Sequence, residues 1–263
     1  MTTLYTLASG SSGNALVISM SGTHFLVDAG ISCRKIRQRL QAVGVPRLDG
    51  LFLTHTHSDH VSGLKTLLKT LPLPVYATAE TLDCLPYMDS LCGFHPLPLE
   101  SPVTLAGCQI TAFPTSHDAA GSCGYRFDGP DGSVGVLTDT GYVTDEAAAV
   151  LPGVELAVLE ANHDVETLQS GPYPYYLKRR ILGPQGHLSN GDAARFAVVL
   201  AENGVKKLVL AHLSRENNTP AMALRAVETA LSAAGLSPEL SVAPRDELGE
   251  AHVLGRAVCR ESR

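Results

Sequence analysis

The sequence predicts an α/β fold whose chemistry sits at strand ends, and three observations point there. Short apolar runs alternate with segments of helical periodicity along the 263 residues. A hydrophobic content of 44% with 24 glycines suits a globular α/β chain with many tight turns. Histidines and aspartates stand where several of the apolar runs stop. No linker, low-complexity tract or clear repeat divides the chain, so one domain over residues 1–263 is expected.

Leu4 to Leu7 reads as a first strand and Ala15 to Ile18 as a second. Between them, Ser9 to Asn14 is either a plain hairpin connection or a loop whose amides and hydroxyls, Ser11 and Asn14 among them, cradle an anion. His24 to Val27 is a third strand ending in Asp28, which either caps a turn or orients a ligand histidine. Ser32 is a plausible N-cap for a helix with Ile36, Leu40 and Val43 on one face, its arginines and Lys35 forming a solvated face. Leu51 to Leu53 is the next strand, and Leu64, Leu67 and Leu68 form a buried helix stripe beyond it.

Val75 to Ala77 is a strand, with Thr78 capping the helix after it, and Gln109 to Phe113 is another, delivering His117. Gly124 to Phe127 and Ser133 to Leu137 read as a hairpin closed around Asp131-Gly132, its second strand ending at Asp139. Val154 to Leu159 leads to Glu160 and His163. Tyrosine-rich and basic stretches come next, with Arg179 and Arg180, and then His187 ahead of a helix bearing Ala193, Phe196, Ala197 and Leu200. Lys207 to Ala211 is a strand ending in His212 and, three residues on, Arg215. Thr219-Pro220 opens a last long helix stopped by Gly235, and Ser241 to Arg245 and His252 to Leu254 form terminal strands.

The stretch His55-Thr56-His57-Ser58-Asp59-His60 carries the sharpest signal. Alternate side chains of an extended segment share a face, so His55 and His57 can point at one metal, while Asp59 and His60 face a second beside it. Imidazole and carboxylate are zinc-type ligands, and thiolate is missing from the cluster.

Composition excludes some classes. No apolar run approaches the roughly 20 residues of a membrane span, and the start lacks a basic region followed by a sustained apolar one. The 6 cysteines are scattered without a CxxC pair, which suits reduced thiols and a cytoplasmic location. A net charge of −6 argues against a general polyanion-coating protein, yet two bound dications would reverse the local sign at a nuclease site.

At HxHxDH the chain resembles the metallo-β-lactamase-fold hydrolases. That resemblance implies a four-layer αββα sandwich with the metals at the edge between two sheets. The flavodiiron branch usually has a glutamate where His57 stands, so hydrolysis is favoured over oxygen reduction. His117 takes the place of the third motif, and Asp139 that of the aspartate that bridges both metals. One metal would then take His55, His57, His117 and Asp139, and the other Asp59, His60, Asp139 and His212. Zinc suits this set, and manganese is the alternative. A hydroxide between metals about 3.5–4 Å apart would be the nucleophile.

Leu159-Glu160-Ala161, Gly186-His187-Leu188-Ser189 and Leu210 to Ser214 resemble the ribonuclease Z branch, where a glutamate and a non-ligand histidine serve the leaving oxygen. Carried over, His187 is the general acid and Glu160 its orienting carboxylate, and with Asp59 they form the expected catalytic set. Ser9 to Asn14, Val27 to Ile31, Glu160 to Asp164, Gly186 to Asn190 and His212 to Asn218 together resemble the YycJ (WalJ)-type family of bacterial 5′-to-3′ exonucleases on double-stranded DNA. The long exosite arm of ribonuclease Z and room for a β-CASP insertion are both lacking. Ser11, Asn14, His163, Arg179, Arg180 and Arg215 are candidate substrate contacts. The expectation is a metal-dependent phosphodiesterase on nucleic acid, most of all a DNA exonuclease. The alternatives are a small-molecule phosphodiesterase, then a thioester or lactam hydrolase, or an inactive metal-stabilised interaction module.

Overall fold

Strands covered on both faces read as continuous apolar runs, and the inner strands Gly50–Phe52, Val75–Ala77 and Leu156–Glu160 are buried from end to end. The computed structural model describes residues 1–85 and 93–255. The first sheet begins as an antiparallel meander, β1 (Thr2–Ala8), β2 (Ala15–Met20) and β3 (Thr23–Val27). Helix α1 (Cys33–Ala42) crosses to the parallel β4 (Gly50–Phe52). A single turn, α2 (Ser58–Val61), and helix α3 (Leu64–Thr70) lead to β5 (Val75–Ala77), and α4 (Ala79–Asp83) precedes the parallel β6 (Phe94–Pro96).

The second sheet repeats that plan. β7 (Val103–Leu105), β8 (Cys108–Pro114), β9 (Cys123–Gly129) and β10 (Gly132–Leu137) are antiparallel. After α5 (Asp145–Val150), β11 (Leu156–Glu160) lies parallel to β10. Helices α6 (Val165–Ser170), α7 (Tyr175–Ile181) and α8 (Asn190–Glu202) separate it from the parallel β12 (Lys207–Ala211). Helix α9 (Pro220–Ala233) leads to β13 (Glu239–Val242), and β14 (Ala251–Leu254) returns to the first sheet to pair with β1.

Three buried clusters make four layers of these elements. The middle one lies between the sheets, where the Phe52 ring meets Phe127 edge-on at 5.1 Å and Phe25 at 5.4 Å. The second packs α1, α3 and α4 on the first sheet, and the third packs α5, α8 and α9 on the other. The αββα sandwich is therefore as expected. No helix among the described residues is long and apolar enough to cross a membrane. Cys33, Cys108 and Cys123 are buried free thiols and Cys84 an exposed one, while Cys92 and Cys259 lie outside the described residues.

Local signals held where they were side-chain specific. Ser32 caps α1 by accepting from the Lys35 amide, and Thr78 does the same for Thr81 at α4. The hairpin turn differs by one residue: Gly132 pairs with Gly129, so Pro130-Asp131 form the turn and Gly132 opens the strand at φ +141°. β11 starts two residues later than its apolar run and includes Glu160. Helix α7 lies where the sequence predicts no helix, because it buries no residue and so shows no apolar stripe.

Two contacts between remote parts of the chain bear on the site. From the second sheet, Tyr125 Oη donates to the Leu53 carbonyl at 2.5 Å, just ahead of the histidine motif. Near the other end, the Ser9 amide donates to the Arg245 carbonyl at 3.2 Å, Gly249 donates to Thr6 at 2.9 Å, and the Arg245 guanidinium reaches the Leu213 and Ser214 carbonyls.

Candidate metal centre

Parallel strands end on the same side of a sheet, and ligands gather outside those carboxyl ends. β4 is followed by the loop carrying His55 and His57, and β10, β11 and β12 end at or just before Asp139, Glu160 and His212. Glu160 is paired with Ala211, so the three acidic and imidazole side chains stand on neighbouring strand ends. His57 is the extended N-cap of α2, whose single turn lifts Asp59 and His60 to the same place. Asp28, Asp139 and His212 all have left-handed backbone, at φ 61°, 56° and 56°. Such conformations are uncommon for residues with a Cβ and concentrate at functional sites. Gly30 is required beside them, because a Cβ there would lie 1.6 Å from the Asp59 carbonyl oxygen.

Every histidine and aspartate expected as a ligand converges. His55, His57 and His117 form one group of ligand atoms, and Asp59, His60 and His212 form another. Asp139 lies between them: Oδ2 is 3.3 Å from His60 Nε2, and Oδ1 is 3.9 Å from His117 Nε2 and 3.4 Å from His212 Nδ1. Asp59 Oδ2 is 3.6 Å from His60 Nε2 and 3.5 Å from His212 Nε2.

The far nitrogen is held in four of the five rings, all but His57. Asp28 Oδ2 stands 2.7 Å from His60 Nδ1 and accepts its proton, while Oδ1 accepts from the Thr54 amide at 2.9 Å. Thr54 Oγ1 donates to Asp28 at 2.9 Å and stands 3.0 Å from His55 Nδ1. His117 Nδ1 donates to the Gly186 carbonyl at 3.0 Å, and His212 Nδ1 to Glu160 Oε1 at 2.9 Å. Four rings thus present Nε2 to one centre, the arrangement that orients metal ligands. Three inward-facing atoms, His55 Nε2, Asp139 Oδ2 and His212 Nε2, are buried without a hydrogen-bond partner. Each such group is destabilising by about 1–3 kcal/mol unless something satisfies it. Divalent cations fit this set: they would satisfy all three atoms, and imidazoles and carboxylates are their usual donors.

Charge in the metal-free chain tells the same story. Burial pushes His55 well below its ordinary value, reinforced by His60 and His117, which keeps its lone pair available. Burial also opposes charge on His60, but Asp139 and Asp28 overcome it and lift the imidazole to about 9. Against burial, neighbouring imidazoles hold the Asp59 and Glu160 carboxyls well below the usual range. The proton on His60 stands where a cation's charge is wanted.

Glu160 and His187 meet as expected, and Glu160 does more. Its buried Oε1 is 2.8 Å from His187 Nδ1 as well as 2.9 Å from His212 Nδ1, while Oε2 accepts from the Thr140 and Leu188 amides at 3.0 and 3.1 Å. His187 is half-buried, with Nδ1 3.7 Å from Asp139 Oδ1. Its ring lines a cavity of about 230 Å³ together with His117, Ser11, Tyr173, Arg180 and Ser214.

The candidate substrate contacts divide. Ser11 and Arg180 line that cavity, and Arg180 Nε also donates to Asp118 Oδ2 at 2.7 Å. Asn14 is buried, with Nδ2 2.9 Å from His60 Nε2 and its amide on the Asp59 carbonyl at 2.7 Å. Arg179 is exposed above the Tyr175 ring, and Arg215 pairs with Asp246 at 3.0 Å outside the cavity lining. His163 is buried with both ring nitrogens unpartnered, and burial pushes it down to about 4. Two residues of the centre escape a reading of the sequence. Thr54 links Asp28 to two rings, and Asp118 Oδ1 lies 3.5 Å from His57 Nε2. Nothing marks Thr54 except its place ahead of the motif, whereas Asp118 adjoins His117. A larger cavity, about 720 Å³, lies along α1 and contains none of these ligands.

A set of cation ligands with a backed, non-ligand histidine beside it is that of a metal-dependent hydrolase. The beta-lactamase superfamily domain matches residues 23–213. Exodeoxyribonuclease WalJ of Streptococcus pneumoniae serotype 2 is 38% identical over 237 residues, covering 88% of this chain and 88% of that protein. Exodeoxyribonuclease YycJ of Bacillus anthracis is 36% identical, covering 87% and 89%. The metallo-beta-lactamase fold protein YhfI of Bacillus subtilis superposes with a TM-score of 0.73 at 18% identity, over 95% of this chain and 99% of that one. The chain belongs to the beta-lactamase superfamily and, within it, to the WalJ/YycJ family.

Proposed function

We propose that this protein is a metal-dependent exodeoxyribonuclease that removes nucleotides from the 5′ end of duplex DNA. The observation that carries the reading is the Glu160–His187 pair, 2.8 Å apart beside Asp139, in a chain whose relatives are named exodeoxyribonucleases. One ion would be held by His55, His57, His117 and Asp139, and a second by Asp59, His60, Asp139 and His212. Bound there, two divalent ions supply a nucleophilic water at neutral pH and neutralise phosphoryl oxygens. The imidazole-rich set favours zinc, with manganese as the alternative.

The protein's own groups serve the departing side. An expelled alkoxide needs a proton, and His187 lines the cavity while its Nδ1 donates to Glu160, which leaves Nε2 as the nitrogen to supply one. The Glu160 carboxylate fixes that tautomer and stabilises the imidazolium, and its buried amide contacts keep it from turning away. Asp59 would be a metal ligand, its carboxylate only partly exposed, and Asn14 holds its backbone. Ser11 and Arg180, which line the same cavity, would contact phosphate oxygens.

The test is digestion of end-labelled, 5′-phosphorylated duplex DNA with zinc or manganese, beside bis-(p-nitrophenyl) phosphate. Stepwise release from the 5′ end is expected. Turnover of the small diester alone would assign a small-molecule phosphodiesterase instead.

A further inference from the structure

Helix α7 is hard to explain by packing. None of its residues is buried, yet Tyr175 and Tyr176 are 76% and 74% exposed, the most exposed large apolar side chains among the described residues. The chain has 8 tyrosines and no tryptophan, and three of its tyrosines fall at 173, 175 and 176. Leaving such rings in water gains nothing for folding.

The helix is nonetheless held firmly, by polar contacts. Lys178 Nζ donates to the Gln169 and Gly171 carbonyls at 2.8 and 2.7 Å. Arg180 is tied to Asp118, which also faces His57. Beyond its end, His187 N donates to the Ile181 carbonyl at 3.1 Å. These ties fix the tyrosines relative to the metal centre. Tyr173, Leu177, Arg180 and Ile181 line the cavity that contains His117 and His187. Tyr176 is four residues before Arg180, hence on the adjoining strip of the helix, and Tyr175 lies one position further round. The outer face therefore borders the cavity at Tyr176 and Arg180, with Tyr175 and Arg179 about 100° further round the helix.

Its charge is also against the trend of the molecule. Lys178, Arg179 and Arg180 are consecutive in a chain of net charge −6. Arg179 has no carboxylate partner among the described residues, and its guanidinium stands 5.9 Å from the Tyr175 ring centroid. Rings that offer a flat apolar face beside a cation free to meet phosphate, as Arg179 is here, are what binds unpaired nucleotides without regard to sequence.

We propose that the exposed face of α7, Tyr175 and Tyr176 with Arg179, is a stacking platform for unpaired bases of the DNA strand whose backbone runs into the metal centre. The proposal rests on the nuclease reading and adds to it the place where the duplex end is opened. A base taken out of its stack loses its neighbours, and a tyrosine ring gives it a new one. The platform thus favours a frayed or tailed end over a blunt one.

The test compares wild type with a Tyr175→Ala/Tyr176→Ala double variant and its Phe/Phe counterpart on manganese-loaded protein. KM for 5′-tailed duplex is expected to rise about tenfold or more in the double alanine variant and to return in the phenylalanine variant, which keeps the rings. Melting temperature and metal content stay at wild-type values. A 2-aminopurine placed in the tail is expected to be quenched on wild type and not on the alanine variant. Wild-type KM and quenching in the alanine variant overturn the platform while the nuclease stands. A wild type that hydrolyses bis-(p-nitrophenyl) phosphate but neither binds nor cuts DNA overturns both readings. A halving of the particle mass in the alanine variant assigns the tyrosines to self-association, and that too overturns the platform.

Discussion

Asp28 and Glu160 are the two buried carboxylates behind the centre, one at the end of a strand in each sheet, and they are used differently. Asp28 serves a closed set: the Thr54 amide and hydroxyl, and His60. Glu160 serves an open one, touching the ligand His212 and the half-exposed His187 with the same oxygen. On the proposed reading, the first sheet's carboxylate would concern metal retention alone, and the second sheet's would join retention to proton delivery. That difference can be broken experimentally.

The largest effect is expected from Glu160→Gln. It removes the charge behind two imidazoles and turns an amide donor toward N–H groups. Metal affinity is expected to fall about 10- to 100-fold and kcat on DNA about 10²- to 10⁴-fold, the latter without recovery in excess metal. Titration with a metal-sensitive dye beside single-turnover digestion separates the two. Next comes His187→Ala, with a loss of about 10²- to 10⁴-fold on DNA and wild-type metal content by elemental analysis. Because p-nitrophenolate leaves without a proton, bis-(p-nitrophenyl) phosphate should be turned over nearly as well as by wild type. Equal losses on both substrates would remove His187 from the acid role.

Asp28→Asn should weaken metal binding about 10- to 100-fold yet recover full kcat once metal is in excess. A kcat that stays low would mean that the two carboxylates are not different in kind. The smallest effect is on pH dependence. In the metal-free protein His60 is raised from 6.5 to about 9, so its contribution to stability is complete below pH 6.5 and lost as pH climbs through about 9. Calorimetry of chelator-treated protein should show the melting temperature falling across that window. Metal-loaded protein should not follow, because the cation has replaced the proton.

Much of the centre was legible because the relevant rules are local. HxHxDH occupies six consecutive residues, and His117, Asp139 and His212 each announced themselves at the end of an apolar run. What connects them is not local. That Glu160 backs His212 follows from the parallel pairing of β11 with β12, which sets Glu160 beside Ala211, and no periodicity states which strands will be neighbours. Thr54 is an ordinary residue until the chain folds Asp28 against it. The hairpin turn shifts by one residue because Asp-Gly and Pro-Asp are both good turn pairs and only the register decides. Helix α7 is illegible since helix recognition relies on a buried stripe, and that helix has none.

The clasp over the Ser9 loop has a consequence for the order in which the protein is made. The candidate ligands span residues 55 to 212, and Asn14 seats the Asp59 loop, but Arg245 and Gly249 close on Ser9 and Thr6 from a segment translated later than any of them. A ribosome has therefore finished every ligand before it has finished the part that secures them. While the chain is still emerging, its candidate metal centre lacks its last fastening.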